Sequence, residues 1–106
     1  MNPWIVLLRK AAEDVSYEIS EHAANRMLER NVLPTDLQNC CATGQVIDEQ
    51  RFGADVKVVL ESRDRNGIPF YAVVALSFPQ PTVVTVCRFR KDTWADIGYL
   101  ARRKRR

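Results

Sequence analysis

The chain has 106 residues, of which 46% are hydrophobic and 27% charged, with a formal net charge of +3. That length suits one domain, residues 1–106, with no second independent core, and the apolar fraction excludes intrinsic disorder. The early apolar run Trp4 to Leu8 is followed at once by Arg9 and Lys10, so it falls far short of the roughly 20 residues of a membrane span and has its charges on the wrong side for a signal peptide.

Asn2-Pro3 is a good helix start, because asparagine caps and a first-turn proline loses no needed hydrogen bond. Trp4, Ile5, Leu8, Ala11 and Ala12 then recur at helical spacing and predict one apolar face. Tyr17 to Ile19 is a candidate first strand. Ser20 caps a second helix that runs to about Asn31, and Pro34-Thr35-Asp36 starts a third, which Gly44 stops. The period then changes. Val46-Ile47, Val56 to Leu60, Ile68 to Phe78 and Val83 to Phe89 read as strands, with Asn66-Gly67 as a hairpin signal and Pro79-Gln80-Pro81 as a reversal. Thr93 to Leu100 is a candidate closing helix. The expected fold is α+β, two to three N-terminal helices on one face of an antiparallel meander of four to five strands.

Three cysteines, two of them adjacent (Cys40 and Cys41) and one distant (Cys87), with a single histidine, form no zinc-site spacing. They read as free thiols of a reducing compartment, and the expected location is the cytoplasm. The positive charge is uneven. Five basic residues lie in the tail 101–106, leaving eleven basic against thirteen acidic residues in the body. Such a tail suits nucleic acid or an acidic protein, or is simply a solvated terminus.

The most informative stretch is Ser20 to Arg30. At 100° per residue His22, Arg26 and Arg30 share one stripe, with Glu29 inside it, while Ala24, Met27 and Leu28 lie across the wheel and are expected to face the core. Imidazole beside guanidinium suits phosphodiester chemistry. Histidine exchanges a proton near neutral pH, and arginine holds phosphate and stabilises developing charge. With RNA, a base that activates the 2′-hydroxyl needs no metal. The alternative is an ordinary polar helix face in which Glu29 neutralises an arginine. On the last strand, alternation puts Val84, Val86, Arg88 and Arg90 on one face and Thr85, Cys87 and Phe89 on the other. Tyr71 and Tyr99 are candidate phenolic acids or stacking groups, or core aromatics.

The run Ser20-x-His22-Ala23-x-x-Arg26-Met27-x-x-Arg30, the Pro34-Thr35-Asp36 helix, Gly44-Gln45-Val46-Ile47 and the strand Val83-Val84-Thr85-Val86 together resemble a bacterial domain family of unassigned function. The likeness covers about residues 17–90. That family is grouped with the barnase–EndoU–colicin–RelE superfold, and its genes often adjoin a YgiT-type zinc-finger antitoxin. The resemblance implies a RelE- or MqsR-like toxin of a toxin–antitoxin pair that cleaves RNA without metal or other cofactor, with RNA and an antitoxin as partners. By position, His22, Arg26 and Arg30 match the helix motif and Thr85 the strand motif. In this reading His22 and Arg26 are catalytic, and Arg30 and Thr85 bind the RNA phosphate, with Arg88 added from the strand pattern. The rivals are a non-catalytic protein-binding module and a different nucleotide-directed enzyme such as an NAD hydrolase, for which the chain offers no glycine-rich phosphate loop.

Overall fold

The structure, a computed structural model, describes residues 3–53, 55–76 and 80–88. Its elements in chain order are α1 (Pro3–Asp14), β1 (Glu18–Ile19), α2 (Glu21–Arg30), α3 (Pro34–Thr43), β2 (Gln45–Phe52), β3 (Asp55–Arg63), β4 (Pro69–Ala75) and β5 (Thr82–Arg88). The expected α+β architecture is present, with the five strands in the order β1-β5-β4-β3-β2. Strands β2 to β5 form the antiparallel meander. The departure is β1, which pairs parallel to β5. Asn2, the candidate helix 93–100, the tail 101–106, Phe89 and Arg90 lie outside the described residues, as does the reversal at Pro79.

The core lies between the helices and one sheet face. Alternation in β3 and β4 sends Val56, Val58, Leu60, Phe70, Ala72 and Val74 inward, where Leu8, Ala12, Leu37 and the two adjacent cysteines meet them. Burial pushes the Cys40 thiol up and that of Cys41 up to about 12, so both are protonated packing groups. The same cause, desolvation, raises the Tyr17 phenol to about 12.

Two irregularities set the register. One lies between Val46 and Asp48 on β2. The other lies on β5, where Val83 pairs with Val74 and Thr85 with Val73, leaving Val84 as an extra residue. This bulge makes Val83 and Val86 the buried residues of β5 and turns Thr85 and Cys87 to the opposite face.

The three helices end in two ways. α1 ends with Val15 and α2 with Asn31, both left-handed at φ 50° and 55°. At Asn31 the chain N–H groups fold back on Leu28 O and Met27 O. Gly44 after α3 is extended instead, at φ −60° and ψ 150°. Its need for glycine is spatial, since a Cβ there would lie 2.4 Å from the Cys40 carbonyl oxygen. Arg9 of α1 completes this end by donating to Cys41 O at 3.0 Å and Gly44 O at 2.7 Å.

A second arginine does the same for α2. Arg88 donates through Nε to Arg30 O at 3.1 Å and through Nη2 to Asn31 O at 3.2 Å. Its Nη2 also lies 2.8 Å from Asp64 Oδ2, in a pair whose side chains are 15% and 1% exposed. Asp64 organises the β3–β4 turn, accepting from Asn66 N and Ile68 N on Oδ1. Those backbone bonds, led by that from Ile68, and the Arg88 guanidinium hold its carboxyl below the usual carboxylate range. The Asn66-Gly67 signal marks a turn, although a longer one than a two-residue hairpin, with only Gly67 at positive φ.

Gly44→Ala is expected to destabilise the fold by about 1–3 kcal/mol, the usual cost of overpacking, measurable as a lower denaturant midpoint. Because Asp64 titrates lower when folded, its contribution is complete above the ordinary carboxylate value near 3.9 and is lost as pH falls through the depressed one. Asp64→Asn should therefore lower thermal stability at pH 7 and flatten its decline below about pH 4.

Candidate phosphate-binding site at the start of helix 2

Ser20 fixes where the candidate site begins. Its backbone N–H donates to Val83 O at 3.0 Å, its Oγ donates to Val84 O at 3.0 Å, and the same Oγ accepts from Ala23 N at 3.0 Å. One side chain thus caps α2 and fastens its first turn to β5 at the bulge. His22 stands two residues further on, exposed. Its Nε2 lies 3.1 Å from Thr85 Oγ1, across 63 residues of sequence. Thr85 Oγ1 is in turn 3.9 Å from the half-buried Cys87 Sγ, and Cys87 is the register partner of Tyr71 on β4. The hydroxyl of Thr85 holds the imidazole through one nitrogen and leaves Nδ1 on the other side of the ring.

α2 is rotated from the expected orientation by less than one residue step. Ala23 and Met27 are buried, while Ala24 is exposed and Leu28 is 82% exposed. The cause is the anchoring at both ends, by Ser20 on β5 and by Arg88 on the last carbonyls of the helix. The rotation brings the arginine stripe beside the sheet. The side chains of Arg26 and Arg30 are 37% and 21% exposed, and both contact Glu29 Oε2, at 2.6 Å and 3.2 Å. The hydrogen bond and charge of Arg26, with help from Arg30, pull the Glu29 carboxyl below its ordinary value. Glu29 is therefore an anion held between two guanidinium groups. It takes Nη1 of each, and a guanidinium has five N–H donors in all.

Of the five residues singled out in sequence, His22 and Thr85 touch, and Arg26 and Arg30 converge on one carboxylate. Arg88 does not join them. Its guanidinium is committed to Asp64, Arg30 O, Asn31 O and, through Nη1, Ile68 O at 3.3 Å, with the ring of Phe70 6.0 Å below. The strand pattern placed it correctly opposite Thr85 but could not reveal the carboxylate awaiting it. Asp36 is a second buried carboxylate that sequence reading took only as a helix start. It accepts from Leu33 N at 2.9 Å and from Arg65 N and Nη1 at 2.9 Å and 2.8 Å, and so is structural too.

The exposed Ala24 and Leu28, with Ile19, Met27, Asn31, Val32, Leu33 and Pro34, line an apolar groove of about 350 Å³ on the outer side of α2. Among the described residues there is no group of three or more His, Cys, Asp or Glu side chains placed to hold a metal ion. No helix among them is long and apolar enough to cross a membrane.

The stretch from β1 to the end of β5, residues 19–88, matches the family model described as a domain of unknown function, DUF4258. The chain belongs to the DUF4258 family. The matched region holds all five candidate residues and all of the described core except α1 and Tyr17. No curated protein matches the chain, and no solved structure does.

Glu29→Gln removes the anion shared by Arg26 and Arg30. If the two arginines take phosphate, this change should tighten binding of a single-stranded oligonucleotide to the DUF4258 domain by roughly 1.5- to fivefold at low salt, the scale of one exposed ion pair. Fluorescence anisotropy against a labelled, uncleavable strand measures this.

Proposed function

We propose that this DUF4258 domain is a metal-independent endoribonuclease, a RelE- or MqsR-like toxin of a toxin–antitoxin pair. The observation that carries the reading is the contact of His22 Nε2 with Thr85 Oγ1 at 3.1 Å, beside two arginines that already share an anion. In this mechanism His22 accepts the proton of a ribose 2′-hydroxyl, and the 2′-oxygen attacks the adjacent phosphorus. Arg26 holds the phosphate and stabilises the charge that grows on its oxygens. Thr85 orients the imidazole. As that bond forms, the bond from phosphorus to the 5′-oxygen breaks and the leaving oxygen takes a proton from water, so the products are a 2′,3′-cyclic phosphate and a free 5′-hydroxyl.

A second reading, a non-catalytic module that binds a partner protein, draws support from the apolar groove lined by Leu28 and Leu33. In the toxin reading an antitoxin is a partner of the domain. The two readings differ in what His22 does.

Purified protein, freed of any antitoxin, should cleave single-stranded RNA in the presence of a metal chelator and leave cyclic-phosphate ends. His22→Ala should lower the rate by about 10²–10⁴-fold, the usual worth of a general acid or base. Thr85→Val should lower it less, with Thr85→Ser restoring it. Induced expression in bacteria should arrest growth, and His22→Ala and Arg26→Ala at equal protein level should relieve the arrest. Intact RNA with soluble wild type would sink the endoribonuclease and favour the binding module.

A further inference from the structure

His22, Arg26 and Arg30 follow one another at four-residue intervals on α2, so successive groups are displaced by about 6 Å along the helix axis. That is comparable to the phosphate repeat of a nucleic acid strand. The rotation of α2 sets this row beside β5 instead of away from the sheet. Beyond Val83, no described strand pairs with β5 on its outer side, because β1 reaches only Thr82 and Val83. A basic row therefore runs along one open strand edge. It begins at the His22–Thr85 contact.

We infer that α2 carries two consecutive phosphate subsites for single-stranded RNA, the scissile phosphate at His22 and Arg26 and its neighbour at Arg30. This rests on the endoribonuclease reading above and adds the form of the substrate. Arg30 is suited to the second position. Its contact with Glu29, at 3.2 Å, engages Nη1 alone, and a guanidinium has five N–H donors with which to meet a second anion. Its backbone is fixed by Arg88, which bonds the Arg30 carbonyl at 3.1 Å, so the side chain projects from an anchored base at the end of the helix. The strand must be single because cyclising cleavage needs the 2′-oxygen in line with the leaving 5′-oxygen. An A-form duplex withholds that alignment.

The test compares a dinucleotide, which has one phosphate between its sugars, with a trinucleotide and a tetranucleotide of the same sequence. Each is used as RNA for cleavage and as its 2′-deoxy analogue for binding. The second phosphate should raise kcat/KM by roughly five- to tenfold, the scale of one charge-assisted contact discounted for exposure. In Arg30→Ala the ratio of trinucleotide to dinucleotide kcat/KM should fall towards one, and the slope of log affinity against log salt should shrink by about 0.7, one single-strand phosphate contact. Arg30→Lys should restore part of both. A self-complementary duplex should resist cleavage. RNA cleavage that is equally fast for dinucleotide and trinucleotide, or a length dependence unchanged by Arg30→Ala, overturns the second subsite and leaves the endoribonuclease standing. Length-dependent binding that Arg30→Ala removes, without cleavage of any RNA, supports the phosphate row and overturns the catalytic reading instead.

Discussion

A carboxylate withdrawn from water survives in a fold only if its oxygens are met by donors. Asp64 meets this condition through two backbone N–H groups and the guanidinium of Arg88, and much of the molecule is arranged around that demand. The same guanidinium takes the last carbonyls of α2, which lack partners within the helix. One ion pair therefore joins β5, the β3–β4 turn and the end of α2. Arg9 plays a parallel part at the end of α3. In both cases a long, planar side chain from a distant element takes the carbonyls that the local cap leaves over.

The candidate site inherits its geometry from these anchors. Ser20 fixes one end of α2 on β5 and Arg88 fixes the other, so the helix has little freedom to roll. The roll it adopts buries Ala23 and Met27 and leaves Ala24 and Leu28 outside. His22 and Thr85 then meet across 63 residues, and the arginines lie along the strand edge. The stabilising framework and the polar row are the two sides of one docking arrangement.

Much of this was legible in the residues themselves. Period changes located the helices and strands, because alternation of two and recurrence of three and four reflect which face is buried. The motif around His22 and the strand residue Thr85 pointed to the pair that meets. What was not legible depends on partners distant in sequence. Nothing local to Arg88 announces Asp64, so a buried clamp looked like a surface cation. Helical-wheel spacing gave the stripes on α2 but not which side faces in, since that is set by anchors at Ser20 and Arg88. The two residues of β1 carry no signal for a parallel partner. Gly44 was read as a helix stop, and α3 does end there, but its φ is ordinary and the constraint is the Cys40 carbonyl. Asn31 takes the left-handed position instead.

The extra residue at Val84 has a further consequence. Upstream of it the buried position on β5 is Val83; downstream the buried side is Val86, and Arg88 lies with it. Strict alternation from Val83 would have sent Thr85 inward and Arg88 outward. Loss of Val84 itself would only remove the bulge and leave both groups on their present faces. A single-residue deletion between Thr85 and Arg88 would instead put the two on one face, either taking the cation from Asp64 or hiding the hydroxyl that holds His22. The strand can vary in side-chain identity, but its count of residues from Thr85 to Arg88 is held by two unrelated requirements at once.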